Sequence, residues 1–458
     1  MLLSKRRMGD LTEGAIMPKM ILFCIPILLS GMLQLLYNSA DMIVVGQFAS
    51  DTAMGAVGSS GSLINLMVNL FIGLSVGTSV TVAQYIGSKQ NEDVRAVVHT
   101  SVALSAMMGL FVGVFGFIFA EQALRMMNTP ETTLAEALPY VRAYMTGVPA
   151  MMIYNYCAAV LRAKGDSTRP LIFLAISGLL NVVMNLVMVI VFGLGAVGVG
   201  IATSFSQYAA MIMILIHMTH LKDDCRIVWK NVRIHRAKLV EILRIGLPAG
   251  IQSVLFSISN VMIQSSVNSF GEAVIDGNAA AANIDGFIWN AQNSVYQGAI
   301  TFSGQHVGAK KYKRLTRVIL NSMVLVTAIG FLFGGAVILF AKPLLTVYAP
   351  DMSATAVEWG RQRLNLMGAT YFLCGLMDVA VGNLRGMGRT ITPMLVSLAG
   401  VCGIRIMWVL VVFRAIPTMT CLYLSYPVTW LITGAVQYTL LFFCKRKMER
   451  ADAARAAE

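Results

Sequence analysis

Long apolar runs dominate the chain, separated by short polar segments. Twelve such runs lie near residues 20–47, 56–85, 96–120, 138–163, 169–192, 196–219, 245–270, 276–305, 315–341, 361–385, 391–413 and 419–444. Each has about twenty residues or more, enough for an α-helix rising 1.5 Å per residue to cross a hydrocarbon layer about 30 Å thick. The pattern predicts an all-α integral membrane protein with twelve transmembrane helices. Ahead of the first run stands only "MLLSKRRMGDLTEGAIMPKM", with no small-residue cleavage site. The run is therefore expected to be a helix of the mature protein, not a signal peptide.

The pattern is written twice. "AQYIGSK" (83–89) matches "GQHVGAK" (304–310) at an offset of 221, and "LRAKGDSTRP" (161–170) matches "LRGMGRTITP" (384–393) at 223. Pro26 recurs as Pro248, at 222. Each half then holds six helices, and an even number returns the second half to the side where the first began. The expectation is a parallel internal repeat of two six-helix lobes, a layout of secondary transporters. The N-lobe is placed at 1–219, a cytoplasmic linker at 220–244, the C-lobe at 245–445 and a cytoplasmic tail at 446–458. The basic linker has two readings: a partly helical segment on the membrane surface that lets the lobes rock, or a solvated tether.

The repeated loops have a local reading first. Gly165 suits a left-handed helix end, Asp166, Ser167 or Thr168 suits a helix cap, and Pro170 suits a first turn. Arg162 and its counterpart Arg385 either snorkel to the cytoplasmic surface or help to close that side.

Composition agrees with the pattern: 57% of the 458 residues are hydrophobic and 12% charged, against about 25% charged in soluble domains. The net charge of +13 would suit nucleic acid, but 28 of the 35 Lys and Arg fall at the N-terminus, in the even-numbered loops or in the tail. That is the positive-inside bias of a multi-pass protein with both termini in the cytoplasm. Without a basic patch interleaved with aromatics, no nucleic-acid partner is expected. The odd loops and the ends facing them hold Arg125, Arg142, Lys342, Arg361, Arg363 and Arg414. Seven scattered cysteines read as packing residues. No P-loop, HExxH or G-x-S-x-G elbow is present, so neither a cofactor nor an enzyme is indicated. The energy source is then a gradient or a partner protein.

Polar groups at membrane depth are expensive and mark function. In the first run Ser30, Gln34, Tyr37, Asn38 and Asp41 share one helical face, and Pro26, fifteen residues before Asp41, can hinge the helix. A buried acid without a basic partner binds one positive charge, either a proton or a cation. Asn181 and Asn185 are one turn apart in the fifth run, Thr203 and Gln207 in the sixth. Gly73 and Gly77 form a seam for close helix approach. In the C-lobe, Asp285 and Asp378 also lack an adjacent base and are possible secondary acids; for Asp378 a local ion pair with Arg385 is the competing reading. The repeat position of Asp41 is Ile263.

"LTEGAIMPKMILFCIPILLSGMLQLLYNSADMIVVGQF", the pair "AQYIGSK" and "GQHVGAKKYKR", and the pair "LRAKGDSTRPL" and "LRGMGRTITPM" resemble the multidrug and toxic compound extrusion (MATE) family, nearer its DinF-like branch than its NorM branch. The resemblance runs from about residue 10 to 445. It implies a two-lobed antiporter of the plasma (inner) membrane that exports cationic or amphipathic small molecules against inward H⁺ or Na⁺, acting as a monomer. It also implies an N-lobe cation site at positions matching Asp41, Asn181, Asn185 and Thr203. Asn185 departs from the family's frequent Asp, which removes one charge. The NorM-like glutamate has no counterpart in "LPAGIQSVLFSISN". The rival readings are a lipid-linked saccharide flippase of the same superfamily and a membrane-embedded enzyme; the first would need a strongly cationic cavity, the second another catalytic group at the depth of Asp41.

Overall fold

A computed structural model of the chain describes residues 10–49, 51–127, 129–348 and 352–457. Twelve long helices form among them: α1 (Ile16–Phe48), α2 (Asp51–Gly87), α3 (Asn91–Met126), α4 (Glu131–Ala163), α5 (Thr168–Leu186), α6 (Gly195–Thr219), α7 (Arg236–Val267), α8 (Glu272–Gly308), α9 (Tyr312–Leu339), α10 (Ala354–Gly386), α11 (Ile391–Phe413) and α12 (Met419–Ala457). A π-helical stretch, Val187–Val191, extends α5, and a short helix, Ala341–Tyr348, follows α9. No strand occurs among the described residues.

Each predicted run falls mainly in one of these helices; 169–192, 245–270 and 315–341 run past the ends of α5, α7 and α9, and most other helices outrun the apolar stretches. α12 continues to Ala457, through the segment expected as a tail. Ten of the twelve are long and apolar enough to cross a membrane; α4 and α8 are the exceptions. α4 packs against α2, α3 and α6, while α8 packs against α9 and α10. Covered by protein, α8 buries Asn278, Gln292, Ser294, Thr301, Ser303, Gln305 and His306 at positions that lipid would penalise.

The chain forms two compact units, Leu29–Gly250, and Gly9–Leu28 with Ile251–Glu458. Their borders fall inside α1 and α7, two residues past Pro26 and Pro248, and not in the linker. In the first unit the opening half of α7 lies against α2. A Cβ on Gly77 would stand 2.9 Å from Gly246 N, and one on Gly246 2.6 Å from Leu74 O. In the second unit the opening half of α1 lies against α8, where a Cβ on Gly298 would stand 2.9 Å from Cys24 Sγ. Gly298 is the repeat position of Gly77. The small-residue seam thus holds the first half of the other repeat's first helix, which sequence spacing alone does not reveal.

The repeated loop motifs are four helix ends of one kind. At "LRAKG" Gly165 N donates to Arg162 O and Asp166 N to Leu161 O; at "LRGMG" Gly388 N donates to Arg385 O and Arg389 N to Leu384 O. Gly165 and Gly388 have φ of 98° and 77°. Lys89 and Lys310, ending the other motif, adopt φ of 57° and 54° with the same bond pair. These are Schellman ends, in which a left-handed residue lets the last carbonyls find partners. Asp166 Oδ1 accepts from Arg169 N at 3.2 Å and so caps α5.

The linker is docked on the first unit. Arg95 pairs with Asp224 at 2.8 Å and Lys164 with Asp223. Val228 N donates to His99 Nε2 at 3.0 Å and His235 N to Thr100 Oγ1 at 3.2 Å. Cys225 and Ile227 of the linker are buried. Its only helical part before α7 is a single turn, Trp229–Asn231. Part of the linker is therefore held against the first unit by these contacts. All seven cysteines are free thiols, six of them buried.

Candidate functional site

In the first unit α1, α5 and α6 bring four side chains together. Asn185 Nδ2 donates to Asp41 Oδ1 and, at 3.4 Å, to Asn181 Oδ1; Asn181 Nδ2 donates to Thr203 Oγ1 at 3.4 Å. Asn181 and Asn185 are buried, Asp41 and Thr203 half-buried. Asp41 takes part in none of the ion pairs found among the described residues. Asn185 Oδ1 is buried without a hydrogen-bond partner, a cost of about 1–3 kcal/mol for a neutral group.

Local sequence explains the arrangement. Asn181 and Asn185 are one turn apart and project from the same face of α5. Gly178, one turn earlier, leaves room for the Tyr37 ring, which a Cβ there would overlap. Tyr37 donates to Ala175 O at 3.2 Å and ties α1 to α5 one turn before Asp41. Immediately after Asn185 the helix widens into its π stretch, a distortion found often at functional sites. Of the remaining residues on the α1 face, Ser30 is half-buried, while Gln34 and Asn38 are exposed. Pro26 lies within the helix and is buried.

Sequence reasoning missed Tyr140 and Tyr144 of α4, which lie within electrostatic reach of Asp41 with rings 6.4 Å apart. Their signal was weak, because two tyrosines one turn apart in an apolar helix read as packing. Three oxygen-bearing side chains, those of Asn181, Asn185 and Thr203, clustered with one carboxylate form a donor set for a proton or a hard cation. The orphaned Asn185 oxygen is the atom such a cation would satisfy. Among the described residues no cluster of three or more His, Cys, Asp or Glu is built to hold a metal.

The second unit corrects several expectations. Asp285 does have a base: Arg363 Nε approaches Asp285 Oδ2 at 3.0 Å, and Arg363 Nη1 donates to Asn278 Oδ1 at 2.5 Å. Arg363, expected at a loop-facing end, is half-buried; its partner lies 78 residues away in sequence, out of reach of local pattern. Asp378 and Arg385 form no ion pair. Asp378 receives only a 4.0 Å contact from Cys374 Sγ. Arg385 is buried, donating to the Tyr296 hydroxyl and, at 2.9 Å, to Gln252 Oε1. Arg162 is half-buried, with its Nε enclosed and unpartnered. Neither arginine is extended into solvent as the snorkelling reading expects.

The comparisons with known proteins fall in line with this architecture. The MatE family model matches twice, at residues 26–187 and 248–411, and the second match begins 222 positions after the first. A probable multidrug resistance protein of Bacillus subtilis, YoeA, is 25% identical over 406 residues, covering 86% of each chain. A second from the same organism, YpnP, is 26% identical over 389 residues, covering 85% of this chain and 86% of its own. Among solved structures, an outward-facing multidrug resistance MATE family transporter of the MOP superfamily superposes with a TM-score of 0.89 at 20% identity, covering 98% of this chain and 100% of that one.

Proposed function

The chain belongs to the MATE family of multidrug and toxic compound extrusion transporters, and from that premise we propose that it exports cationic or amphipathic small molecules across the plasma membrane by antiport with H⁺ or Na⁺. The observation that carries the coupling part is the chain of contacts Asp41–Asn185–Asn181–Thr203, centred on a carboxylate that forms no ion pair with a base among the described residues.

When the N-lobe faces outward, Asp41 takes up the cation. Asn185, which holds Asp41 through its amide nitrogen, also has a free carbonyl oxygen to offer. Binding draws α1 against α5 and α6, α1 bends near Pro26, and the substrate is released. Release of the cation to the cytoplasm resets the cycle. Because α1 and α7 each change unit just past a proline, Pro248 is assigned a second hinge. To move the population from 1:99 to 99:1, the cation must prefer one state by about 5.5 kcal/mol. The reading places both termini in the cytoplasm, in accord with the basic residues, and takes the monomer as the working unit.

The test is efflux of a fluorescent organic cation from proteoliposomes under a pH gradient alone and then a Na⁺ gradient alone. One of the two should drive efflux in the parent and fail in Asp41→Asn at equal reconstituted amounts. Asp41→Asn efflux equal to the parent overturns the coupling role, and efflux under neither gradient overturns antiport.

A further inference from the structure

The second unit has a half-open pocket of about 360 Å³ whose wall includes Asn260, Ile263, Asp285, Trp289, Arg363 and Tyr426. Two of these are repeat counterparts of the first unit's α1 face, Asn260 of Asn38 and Ile263 of Asp41. The helix-1 acid of the first unit thus has no counterpart at its repeat position, and a base stands nearby.

Arg405 of α11 is only 3% exposed. Its Nη1 donates to Asn260 Oδ1 at 3.2 Å and its Nη2 to Thr429 Oγ1 at 3.5 Å, while Nε has no partner. Its guanidinium carbon lies 4.3 Å from the centroid of the Tyr426 ring. It joins none of the ion pairs among the described residues, so its charge is met by amide, hydroxyl and ring alone. A buried guanidinium is ordinarily paired with a carboxylate, because desolvation costs several kcal/mol. Of the charged groups only Arg363 and Asp285 line the pocket, and Arg405 stands behind Asn260; with Arg385 and Asp378 elsewhere in the unit, three arginines face two acids and one positive charge is left over.

The helix is also distorted around this residue. Arg405 opens a three-residue α-turn, Arg405–Met407, between π stretches Leu398–Ile404 and Trp408–Phe413. Such stretches are uncommon and are retained chiefly where a side chain must be aimed. Aromatic rings complete the site: Tyr371 and Tyr426 line the cavity, and both contact Trp430, at 5.2 and 5.7 Å. Asp285 Oδ1 is buried in the same wall without a donor.

We infer that this cavity is a binding site for small aromatic carboxylates, with the carboxylate drawn to the Arg405–Asn260 and Arg363 side, the ring system on Trp289 and Tyr426, and an N–H of the ligand given to Asp285 Oδ1. The volume suits one bicyclic molecule, at the lower end of ordinary ligand pockets. The inference goes beyond the efflux reading and does not rest on it, since it concerns binding without a gradient.

The probe is tritiated indole-3-acetate, bound at equilibrium to the full purified chain, with unlabelled indole-3-acetate, indole-3-acetamide and tryptamine as competitors. Saturable binding is expected, with the neutral amide and the cationic amine each competing at least about tenfold more weakly. Arg405→Gln, which can still bond Asn260, is expected to weaken binding about tenfold or more, the effect of removing one nearby charge at an effective dielectric near 20. Arg405→Lys should stay within about threefold of the parent if charge rather than the fork of Arg dominates. Asp41→Asn should bind like the parent even where it abolishes efflux, which separates failure of this site from failure of the coupling reading. The inference is overturned if the amide competes as well as the acetate, or if well-folded Arg405→Gln binds like the parent. Where Arg405→Gln does not fold, the amide-to-acetate ratio on the parent decides.

Discussion

Replacing Gly178 by Ala tests the Asp41 cluster without touching any of its members. A methyl carbon at this position falls inside the envelope of the Tyr37 ring. Restoring an ordinary carbon contact near 3.5 Å requires ring or helix to retreat by roughly 1.5–2 Å. The Tyr37–Ala175 hydrogen bond, at 3.2 Å, has only about 0.3 Å to spare before it ceases to be one. Asp41 lies one turn further along α1, so the same retreat pulls it from Asn185. Overpacking costs about 1–3 kcal/mol and the lost hydrogen bond about 1 more, giving about 2–4 kcal/mol in total. The assay pairs thermal unfolding of the purified protein with gradient-driven efflux, in Gly178→Ala and in the double variant with Tyr37→Leu. The single variant should melt earlier and lose most of its efflux, and the double variant should recover efflux because the ring that obstructs α1 is gone. Parental behaviour of the single variant, or a double variant no better than the single, refutes the reasoning.

Two further outcomes follow from the packing and the backbone. Gly77→Leu should sharply reduce the yield of monodisperse protein in size-exclusion chromatography, because Gly246 backbone on α7 occupies the space its side chain needs; Gly61→Leu, with nothing within 4 Å of its Cβ, is the control. Lys89→Gly and Lys310→Gly should each raise stability by about 1 kcal/mol, since both lysines sit at positive φ where an L-residue pays about 1–2 kcal/mol and glycine does not. An unchanged melting temperature in both would show that the left-handed ends are not strained.

Much of this protein was legible in its sequence because lipid imposes a one-dimensional rule. A helix that crosses the membrane must be apolar over about twenty residues, so the twelve helices and the repeat stand in the letters, and the left-handed end at Gly165 followed from glycine's freedom at positive φ. A single unpaired acid in such a helix also stands out, and so do amides one turn apart, which is why Asp41, Asn181 and Asn185 are legible in the sequence. What joined them is tertiary: the amide of Asn185 reaches Asp41 across 144 residues of chain, a distance no periodicity reports. The same holds for the base that Asp285 was thought to lack, supplied by Arg363 from another helix. It holds as well for the exchange of half-helices, since glycine spacing shows that helices come close but not which ones. Composition and periodicity record what each helix asks of lipid, whereas the pairing of charges, the enclosure of Arg405 and the choice of neighbours depend on which faces meet, and that is decided only when the chain packs.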